Sequence, residues 1–322
     1  MGKAFQFDVD NCSRIQGQIM NVELPTEESV VRTFAAALRS LGIEKIHEST
    51  KDLVIYEMTD GMRTSTQLQG GSAYFDGGVF CIRFIHALRI LGMSSCYINV
   101  IEEKHTKRDN YTHIFEGLRT LYPLYAEFAG EFNIKFVFLG DLEGTLEPEG
   151  YKGNFSADLK KLEAKTAENT GFTVYFLINY SLEWAMKNES KFRSMPLLDV
   201  TIRHTKFQFP TGMMLPSSKS DFCSLIYVQQ GSAGTTWSDE QIIELIALSL
   251  RSKFLNSGTQ YLKTYKEGER DTIRSKREKE LFMIHRQLGL EQSSKSTSDA
   301  KASQNLKRAI LAGPAGPEVY EF

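Results

Sequence analysis

The sequence predicts an α/β protein with a single parallel central sheet of about six strands, flanked by helices. Short and almost uninterrupted apolar runs recur along the middle of the chain, and helical stretches separate them. Strands that lack polar alternation are buried on both faces, and parallel strands need a crossover between them. The predicted strands are Leu53–Met58, Cys96–Ile101, Ile134–Leu139, Phe172–Ile178, Leu198–Ile202 and Phe222–Val228.

The helices are predicted from apolar residues at helical spacing and from residues that begin or end a helix. Gly42 and Gly92 each follow such a stretch, and Ser238 precedes one. The predicted helices are Glu27–Leu41, Gly78–Leu91, Ile114–Phe132, Ser156–Glu168, Ser181–Lys191 and Ser238–Phe254.

The same pattern divides the chain into three parts. Residues 1–50 are predicted to be an N-terminal extension with one helix, and residues 51–258 to be the α/β domain. Residues 259–322 are rich in charge of both signs and then in Ser and Lys, which predicts a charged helix and a disordered tail.

Composition excludes several classes of protein. Lys and Arg total 38, Asp and Glu total 40, and the net charge of −2 is unlike that of a general nucleic-acid-binding protein. The four cysteines form no C-x-x-C pair, so we expect reduced thiols without zinc or disulfides. No apolar run spans a membrane, and the N-terminus has no signal pattern, which favours a cytoplasmic location.

The segment Asp60-Gly61-Met62-Arg63 follows the first predicted strand. In parallel α/β sheets, ligands bind at the carboxyl ends of the strands. A carboxylate and a guanidinium beside a glycine are suited to holding Mg²⁺ and a diphosphate together. The alternative is an ordinary Asp-Gly turn with a surface arginine.

Glycine pairs provide a second candidate. Gly70-Gly71 and Gly77-Gly78 bracket Tyr74 just before the predicted helix at Gly78. Backbone N–H groups at a helix N-terminus bind phosphate, although a plain loop is the alternative.

Basic residues also follow two other predicted strands. The loop Glu102–Arg108 follows the second strand, and Arg203-His204 follows the fifth. These groups either bind an anionic ligand at the same sheet edge or form a solvated charged loop; a lone histidine such as His204 is more often structural.

Several of these segments, taken in order, resemble the cis-prenyltransferase (undecaprenyl diphosphate synthase) superfamily over about residues 53–255. Asp60-Gly61-Met62-Arg63 resembles its Asp-Gly-Asn-Arg-Arg motif, and Asp199–Arg203 resembles its Asp-Leu-x-Ile-Arg-Thr motif. Phe138–Leu142 and Asn169–Tyr180 resemble its Ile-Gly-Asp and Asn-Thr-Gly…Asn-Tyr stretches.

The resemblance implies a homodimer, a cis-prenyltransferase-like fold and an apolar tunnel for an allylic prenyl diphosphate of geranyl, farnesyl or geranylgeranyl type. It implies that Asp60 binds Mg²⁺, with Asp221 as the nearest candidate for a second metal-binding carboxylate. The predicted catalytic residues are Asp60, Arg63, Tyr74 and Asn179. The predicted diphosphate-binding residues are Gly61, Met62, Arg63, Thr64, Arg108 and Arg203.

The chain departs from the family pattern where the family holds isopentenyl diphosphate. Phe209-Pro210-Thr211 replaces Arg-x-Ser, and His105 replaces a catalytic asparagine. Phe207–Ser218 resembles the tuberculosinyl transferase-type terpene enzymes. We therefore expect Mg²⁺-dependent ionisation of a prenyl diphosphate by a terpene synthase or non-standard prenyltransferase. The alternatives are condensation with isopentenyl diphosphate and a non-catalytic partner subunit; peripheral membrane contact is compatible with each.

Overall fold

A computed structural model describes most of the middle of the chain and parts of both termini. The described residues are 4–8, 19–41, 43, 50–59, 71–204, 215, 224–229, 237–257, 308–313 and 316–321.

Ten strands lie in the described part of the chain. They are β1 (Ala4–Asp8), β2 (Ile19–Glu23), β3 (Ile55–Met58), β4 (Ser95–Asn99), β5 (Ile134–Leu139), β6 (Phe172–Leu177), β7 (Val200–Arg203), β8 (Ser224–Gln229), β9 (Arg308–Gly313) and β10 (Gly316–Glu321). β1 and β2 form an antiparallel hairpin. The other strands form one sheet in the order β10-β9-β8-β7-β3-β4-β6-β5.

The central sheet confirms the predicted fold class. The six strands β3 to β8 are mutually parallel and correspond to the six apolar runs of the sequence. β9 pairs antiparallel with β8, and β10 pairs antiparallel with β9. The tail expected to be disordered therefore contributes two strands at its end. The charged helix expected before it lies outside the described residues, and the N-terminal extension contains a hairpin besides its helix.

Among the described residues, eight helices accompany these strands. They are α1 (Glu27–Ser40), α2 (Gly71–Ile90), α3 (Glu103–Thr106), α4 (Tyr111–Phe132), α5 (Phe155–Lys165), α6 (Leu182–Lys187), α7 (Glu189–Phe192) and α8 (Asp239–Ser257). The predicted helix Ser181–Lys191 is divided in two at Asn188, whose N–H bonds back to the last turn of α6. Helix α2 begins at Gly71 and not at Gly78 as predicted.

The two faces of the sheet are covered unequally. Residues of β3 alternate between the faces, so that Ile55 packs into the larger core and Tyr56 into the smaller one. The larger core includes buried side chains of α1, α2, α4, α5 and α8. The smaller core includes Ala185 of α6 and Phe192 of α7. Burial on both faces explains why the strands read as continuous apolar runs.

No helix in the described ranges has the length and apolar character needed to cross a membrane.

Candidate active site

The candidate site lies at the carboxyl edge of the parallel strands. β3 lies between β4 and β7, and its last residue, Met58, is in register with Asn99 and Arg203. Thr59 follows directly and donates its hydroxyl proton to the backbone carbonyl of Asn99. Parallel pairing thus brings the residues after three strands to one edge, although they are far apart in the sequence.

A cavity lies between helices α2, α4 and α5 and the sheet, and its lining includes residues at these strand ends. Its volume is about 70 Å³, enough for a few water molecules at about 10–15 Å³ each. The lining is mainly apolar, with a few polar side chains near the strand ends. It comprises Thr59, Tyr74, Gly77, Gly78, Cys81, Asn99, Val100, Ile101, Ile114, Leu118, Leu121, Tyr122, Tyr125, Phe136, Phe138, Phe155, Leu159, Leu162, Phe176 and Ile178.

Aromatic rings dominate the strand side of the cavity. The ring of Phe176 on β6 meets Phe136 on β5 edge-on at 5.2 Å between centroids and Tyr125 on α4 at 5.4 Å. Aromatic faces carry negative potential and attract cations within about 6 Å of the ring centroid. The wall can therefore stabilise positive charge on a ligand that offers no polar group of its own.

The glycine pair Gly77-Gly78 lies inside helix α2, so the prediction that it leads into the N-terminus of that helix is wrong. A Cβ on Gly78 would lie 2.2 Å from a methyl group of Leu121, which shows how closely α2 and α4 approach. The hydroxyl of Tyr125 donates to the carbonyl of Gly78 at 2.9 Å. Packing against α4 outweighs the low helix propensity of glycine here. Both Gly77 and Gly78 are part of the cavity wall.

Tyr74 and Cys81 both belong to α2 and both line the cavity. Tyr74, a predicted catalytic residue, lies in the first turns of the helix near the strand ends and is half-buried. Burial raises the pKa of the Cys81 thiol, and the nearby Glu57 carboxylate raises it further. Cys81 is therefore a neutral apolar wall residue and not a nucleophile.

Asn179, another predicted catalytic residue, follows β6 but does not line the cavity. Its backbone is left-handed, with φ of 50°. Its Nδ2 donates to the carbonyl of Asp141 at 2.6 Å, and the N–H of Asp141 donates to the carbonyl of Asn179 at 3.1 Å. Asn179 therefore joins the loops after β5 and β6.

Arg108 lies in the loop between α3 and α4, beyond the end of β4. A bridge from Glu102 to Tyr180 joins the segment before α3 to the loop after β6. Lys107 pairs with Glu103 at 2.8 Å, and the hydrogen bonds of Lys107 and Ser181 lower the pKa of Glu103. Arg108 is exposed and has no ion pair within the described residues, so it is the cation of this loop that is available to an anion.

Arg203 ends β7 and is 7 % exposed. It lies on the opposite side of β3 from Asn99, because β7 and β4 flank that strand. The structure therefore brings Arg203 and Thr59 to one sheet edge, and the position of Arg203 at a strand end is as the sequence predicted.

The remaining predicted residues lie outside the described part of the chain. They are Asp60, Gly61, Met62, Arg63, Thr64 and Asp221. In the sequence, Asp60 follows Thr59 directly. Within the described ranges, no group of three or more His, Cys, Asp and Glu side chains is arranged to hold a metal ion.

Two buried polar features were missed by sequence reasoning. Glu57 on β3 and His204 after β7 form a fully buried pair at 2.5 Å. The Oδ1 atom of Asn99, a residue 3 % exposed, has no hydrogen-bond partner in the described structure. The sequence did contain a sign of the buried pair, since Glu57 is a lone charged residue inside an apolar run. A strand-end asparagine has none, because it is common in turns.

Comparison with known proteins finds similarity only among solved structures. No protein-family model and no curated protein matches the chain. One similar structure is a probable undecaprenyl diphosphate synthase from Campylobacter jejuni, at 13 % identity and a TM-score of 0.43, covering 62 % of this chain and 94 % of that one. Another is lavandulyl diphosphate synthase from Lavandula x intermedia in complex with dimethylallyl diphosphate, at 13 % identity and a TM-score of 0.49. The match covers 64 % of this chain and 97 % of that one.

Proposed function

We propose that the protein binds an allylic prenyl diphosphate and ionises it with release of diphosphate, as a terpene synthase or non-standard prenyltransferase. The apolar, aromatic-walled cavity that reaches the carboxyl ends of the strands carries the proposal. A prenyl chain is hydrocarbon and matches such a lining in polarity. The diphosphate would remain at the edge, where Arg203 ends β7 and the segment from Asp60 to Thr64 follows β3.

Each part of the substrate has matching groups. Arg63, Arg108 and Arg203 supply cations for the diphosphate oxygens, and charge-assisted bonds of this kind are the strong ones. The allylic cation left after ionisation would face aromatic rings such as Phe176 and Tyr125, which stabilise it by cation–π attraction. Few polar groups line the cavity, so the cation would meet mainly apolar and aromatic atoms.

Mg²⁺ belongs to the proposal through Asp60. Mg²⁺ is usually bound by one or two carboxylates together with substrate phosphates, so a single Asp60 beside a diphosphate is an adequate protein contribution. The ion would neutralise charge on the leaving diphosphate. Asp221 is the proposed second carboxylate.

The test is diphosphate release by the purified protein with geranyl, farnesyl and geranylgeranyl diphosphates and Mg²⁺, with products identified by mass spectrometry. We expect release with at least one substrate and its loss in Asp60→Ala. Full turnover by that variant would exclude the assigned role of Asp60. No release by the wild-type protein with any of the three would overturn the proposed function.

A second variant tests the cavity itself. Leu118→Trp places a large ring in the half-buried wall on α4, and it should raise KM for the prenyl diphosphate at least tenfold, because the cavity holds only about 70 Å³. Met186→Trp is the matched control, because Met186 is 70 % exposed and lies outside the cavity lining. Equal KM values for the two variants would show that the prenyl group does not bind in this cavity.

The same assay separates the alternatives. Labelled isopentenyl diphosphate in a longer product would identify condensation. Binding of prenyl diphosphate without turnover would identify a partner subunit, and light scattering would establish whether the chain forms the proposed homodimer.

A further inference from the structure

We propose that the buried pair of Glu57 and His204 is a positioning pair for Arg203, because it holds the end of β7 where that arginine binds the diphosphate. The inference rests on the proposed function, in which Arg203 supplies one of the cations for the diphosphate. It gives a part in that binding to two side chains that are not themselves exposed.

The pair lies one residue beyond the last position that strand pairing fixes. Arg203 is the last residue of β7, in register with Met58 on β3 and with Tyr227 on β8. His204 follows it, and the Nε2 atom of His204 lies 2.5 Å from the Oε1 atom of Glu57. This side-chain contact therefore extends the attachment of β7 to β3 past the last paired residue.

The pair holds the backbone at Arg203 from the opposite face of the sheet. Successive side chains of a strand point to opposite faces. Arg203 is in register with Met58, which packs in the smaller core. His204 contacts Glu57 and meets the ring of Phe80 edge-on, and Phe80 belongs to the larger core. The contact therefore fixes the backbone beside Arg203 and leaves the arginine side chain on the other face.

The imidazole of His204 is enclosed as well as paired. The rings of Phe80 and Trp237 meet it edge-on, at 6.0 Å and 5.6 Å between centroids. Trp237 is itself held by Arg83 of α2, whose Nη1 atom donates to the carbonyl of Trp237 at 2.8 Å. The Nε atom of Arg83 also donates to Asp239 at 2.8 Å. His204 is thus held by β3, by α2 and by residues at the start of α8.

An arginine depends on such an attachment more than a short side chain does. Its side chain has many rotamers, and its guanidinium binds phosphate through parallel N–H bonds that require a set geometry. A displacement of about 1 Å at a site can cost about a hundredfold in rate. Strand ends also open more readily than strand centres. A contact that stops β7 from opening at Arg203 therefore keeps the guanidinium in place for the diphosphate.

A positioning role and a purely stabilising role have different consequences. If the pair acts through Arg203, its loss weakens diphosphate binding only while the arginine is present. A pair that merely stabilises the fold would weaken binding by the same factor with or without Arg203.

The test is a double-variant cycle on the binding of inorganic diphosphate in the presence of Mg²⁺, measured by calorimetry without turnover. We expect Arg203→Gln to weaken binding at least about tenfold, as the loss of one charge-assisted bond predicts. We expect Glu57→Leu to weaken it at least about fivefold, because a displaced guanidinium keeps its charge and loses its geometry. The combined variant should bind no more weakly than Arg203→Gln alone.

Two further variants separate positioning from stability. Glu57→Gln keeps a hydrogen-bonding partner for His204 and should stay within about twofold of the wild-type affinity. Leu38→Ala truncates a fully buried side chain of α1, which contributes neither to the strand ends nor to the cavity lining. It lowers stability and should leave the affinity unchanged. All variants are compared at a temperature at which circular dichroism shows them folded.

Unchanged affinity in Glu57→Leu would overturn the proposal, as would losses that multiply in the combined variant. A loss in Glu57→Gln or in Leu38→Ala as large as that in Glu57→Leu would overturn it too. Coupling between the strand end and the ligand is reciprocal, so diphosphate should slow backbone hydrogen exchange at Arg203 and His204 of the wild-type protein at least about fivefold. Absence of slowing would overturn the proposal even if Glu57→Leu does not fold.

Diphosphate release from geranyl, farnesyl and geranylgeranyl diphosphates tests the proposed function separately. Release together with unchanged affinity in Glu57→Leu would overturn the role of the pair and leave the proposed function standing. The expected binding cycle without release would overturn the proposed function and leave the pair as a determinant of diphosphate binding. Failure of the wild-type protein to bind inorganic diphosphate would overturn the role of the pair.

Discussion

The Nε2 atom of His204 lies 2.5 Å from the Oε1 atom of Glu57, and neither side chain is exposed. The pair joins β3 to the end of β7, next to Arg203. Phe80 and Trp237 meet the imidazole edge-on, at 6.0 Å and 5.6 Å between centroids. This interaction fixes the relative positions of two strand ends that contribute to the candidate site.

We predict that Glu57→Leu and His204→Leu each lower the free energy of unfolding by about 3–5 kcal/mol, because each leaves one member of a buried pair without its partner. The double variant should lose about 1–3 kcal/mol less than the sum of the two. Urea unfolding of the four proteins measures both quantities. Additive losses would contradict direct coupling. Glu183→Gln, in an exposed pair with Lys187, is the control and should have no measurable effect.

Gly140 is a position where a side chain is excluded by the backbone. Its φ is +143°, and a Cβ there would lie 1.8 Å from the carbonyl oxygen of Ile178. Gly140→Ala should therefore lower the free energy of unfolding by about 1–3 kcal/mol or more. Gly130→Ala is the matched control, because Gly130 lies in α4 with open space around it and should gain up to about 1 kcal/mol. Equal urea midpoints for the two variants would refute this interpretation.

His86 predicts a pH dependence of stability. Its Nε2 contacts the carbonyl of Pro25 at 3.2 Å, and Phe132 meets its ring edge-on. Burial, and then the neighbouring Arg89, lower its pKa from 6.5 to about 4. Between about pH 6.5 and pH 4, His86 is therefore protonated in the unfolded chain and neutral in the folded protein. Its contribution to the free energy of unfolding is fully present above pH 6.5 and is lost as the pH falls toward 4.

Thermal unfolding of the wild-type protein and His86→Gln measures this contribution. Tm should fall more steeply between pH 6.5 and pH 4 in the wild-type protein than in the variant, which retains a donor but does not titrate. Parallel profiles would show that His86 does not contribute.

The buried thiols should be unreactive. Burial raises the pKa of both Cys81 and Cys96 above that of an ordinary thiol. In a Cys12→Ser, Cys223→Ser variant, a disulfide reagent should label the native protein more than about a hundredfold more slowly than the urea-unfolded chain, since the thiolate is the reacting form. Rapid labelling of the native protein would contradict the assignment of Cys81 to the neutral wall.

The strands that the sequence predicted well are those specified by the local pattern of apolar and polar residues. β5 is found at the predicted residues, and β6 ends one residue earlier than predicted, because a continuous apolar run bounded by polar residues specifies a two-sided strand. The start of α2 was misplaced because glycine pairs usually interrupt helices, whereas here Gly78 permits the close approach of Leu121. Long-range packing of this kind has no signature in a single sequence.

The candidate site was predicted in part for the same reason. The position of Arg203 at a strand end was predicted because a basic residue after a buried strand is a local pattern. The pairing of Glu57 with His204 depends on β3 and β7 being neighbours, which the order of strands along the chain does not reveal. The unpaired amide oxygen of Asn99 was missed because only the folded arrangement shows which buried polar atoms have partners.

The antiparallel strand β9 covers the side of β8 that would otherwise be a free sheet edge. Because β9 and β10 follow every other strand of this sheet in the chain, a ribosome makes them after the rest of the sheet. Until they pair, β8 presents unpaired backbone groups next to β7, the strand that carries Arg203, and such edges recruit other chains. The β9–β10 hairpin therefore completes the sheet last. Nascent or truncated chains that lack this hairpin should aggregate more readily than the complete protein.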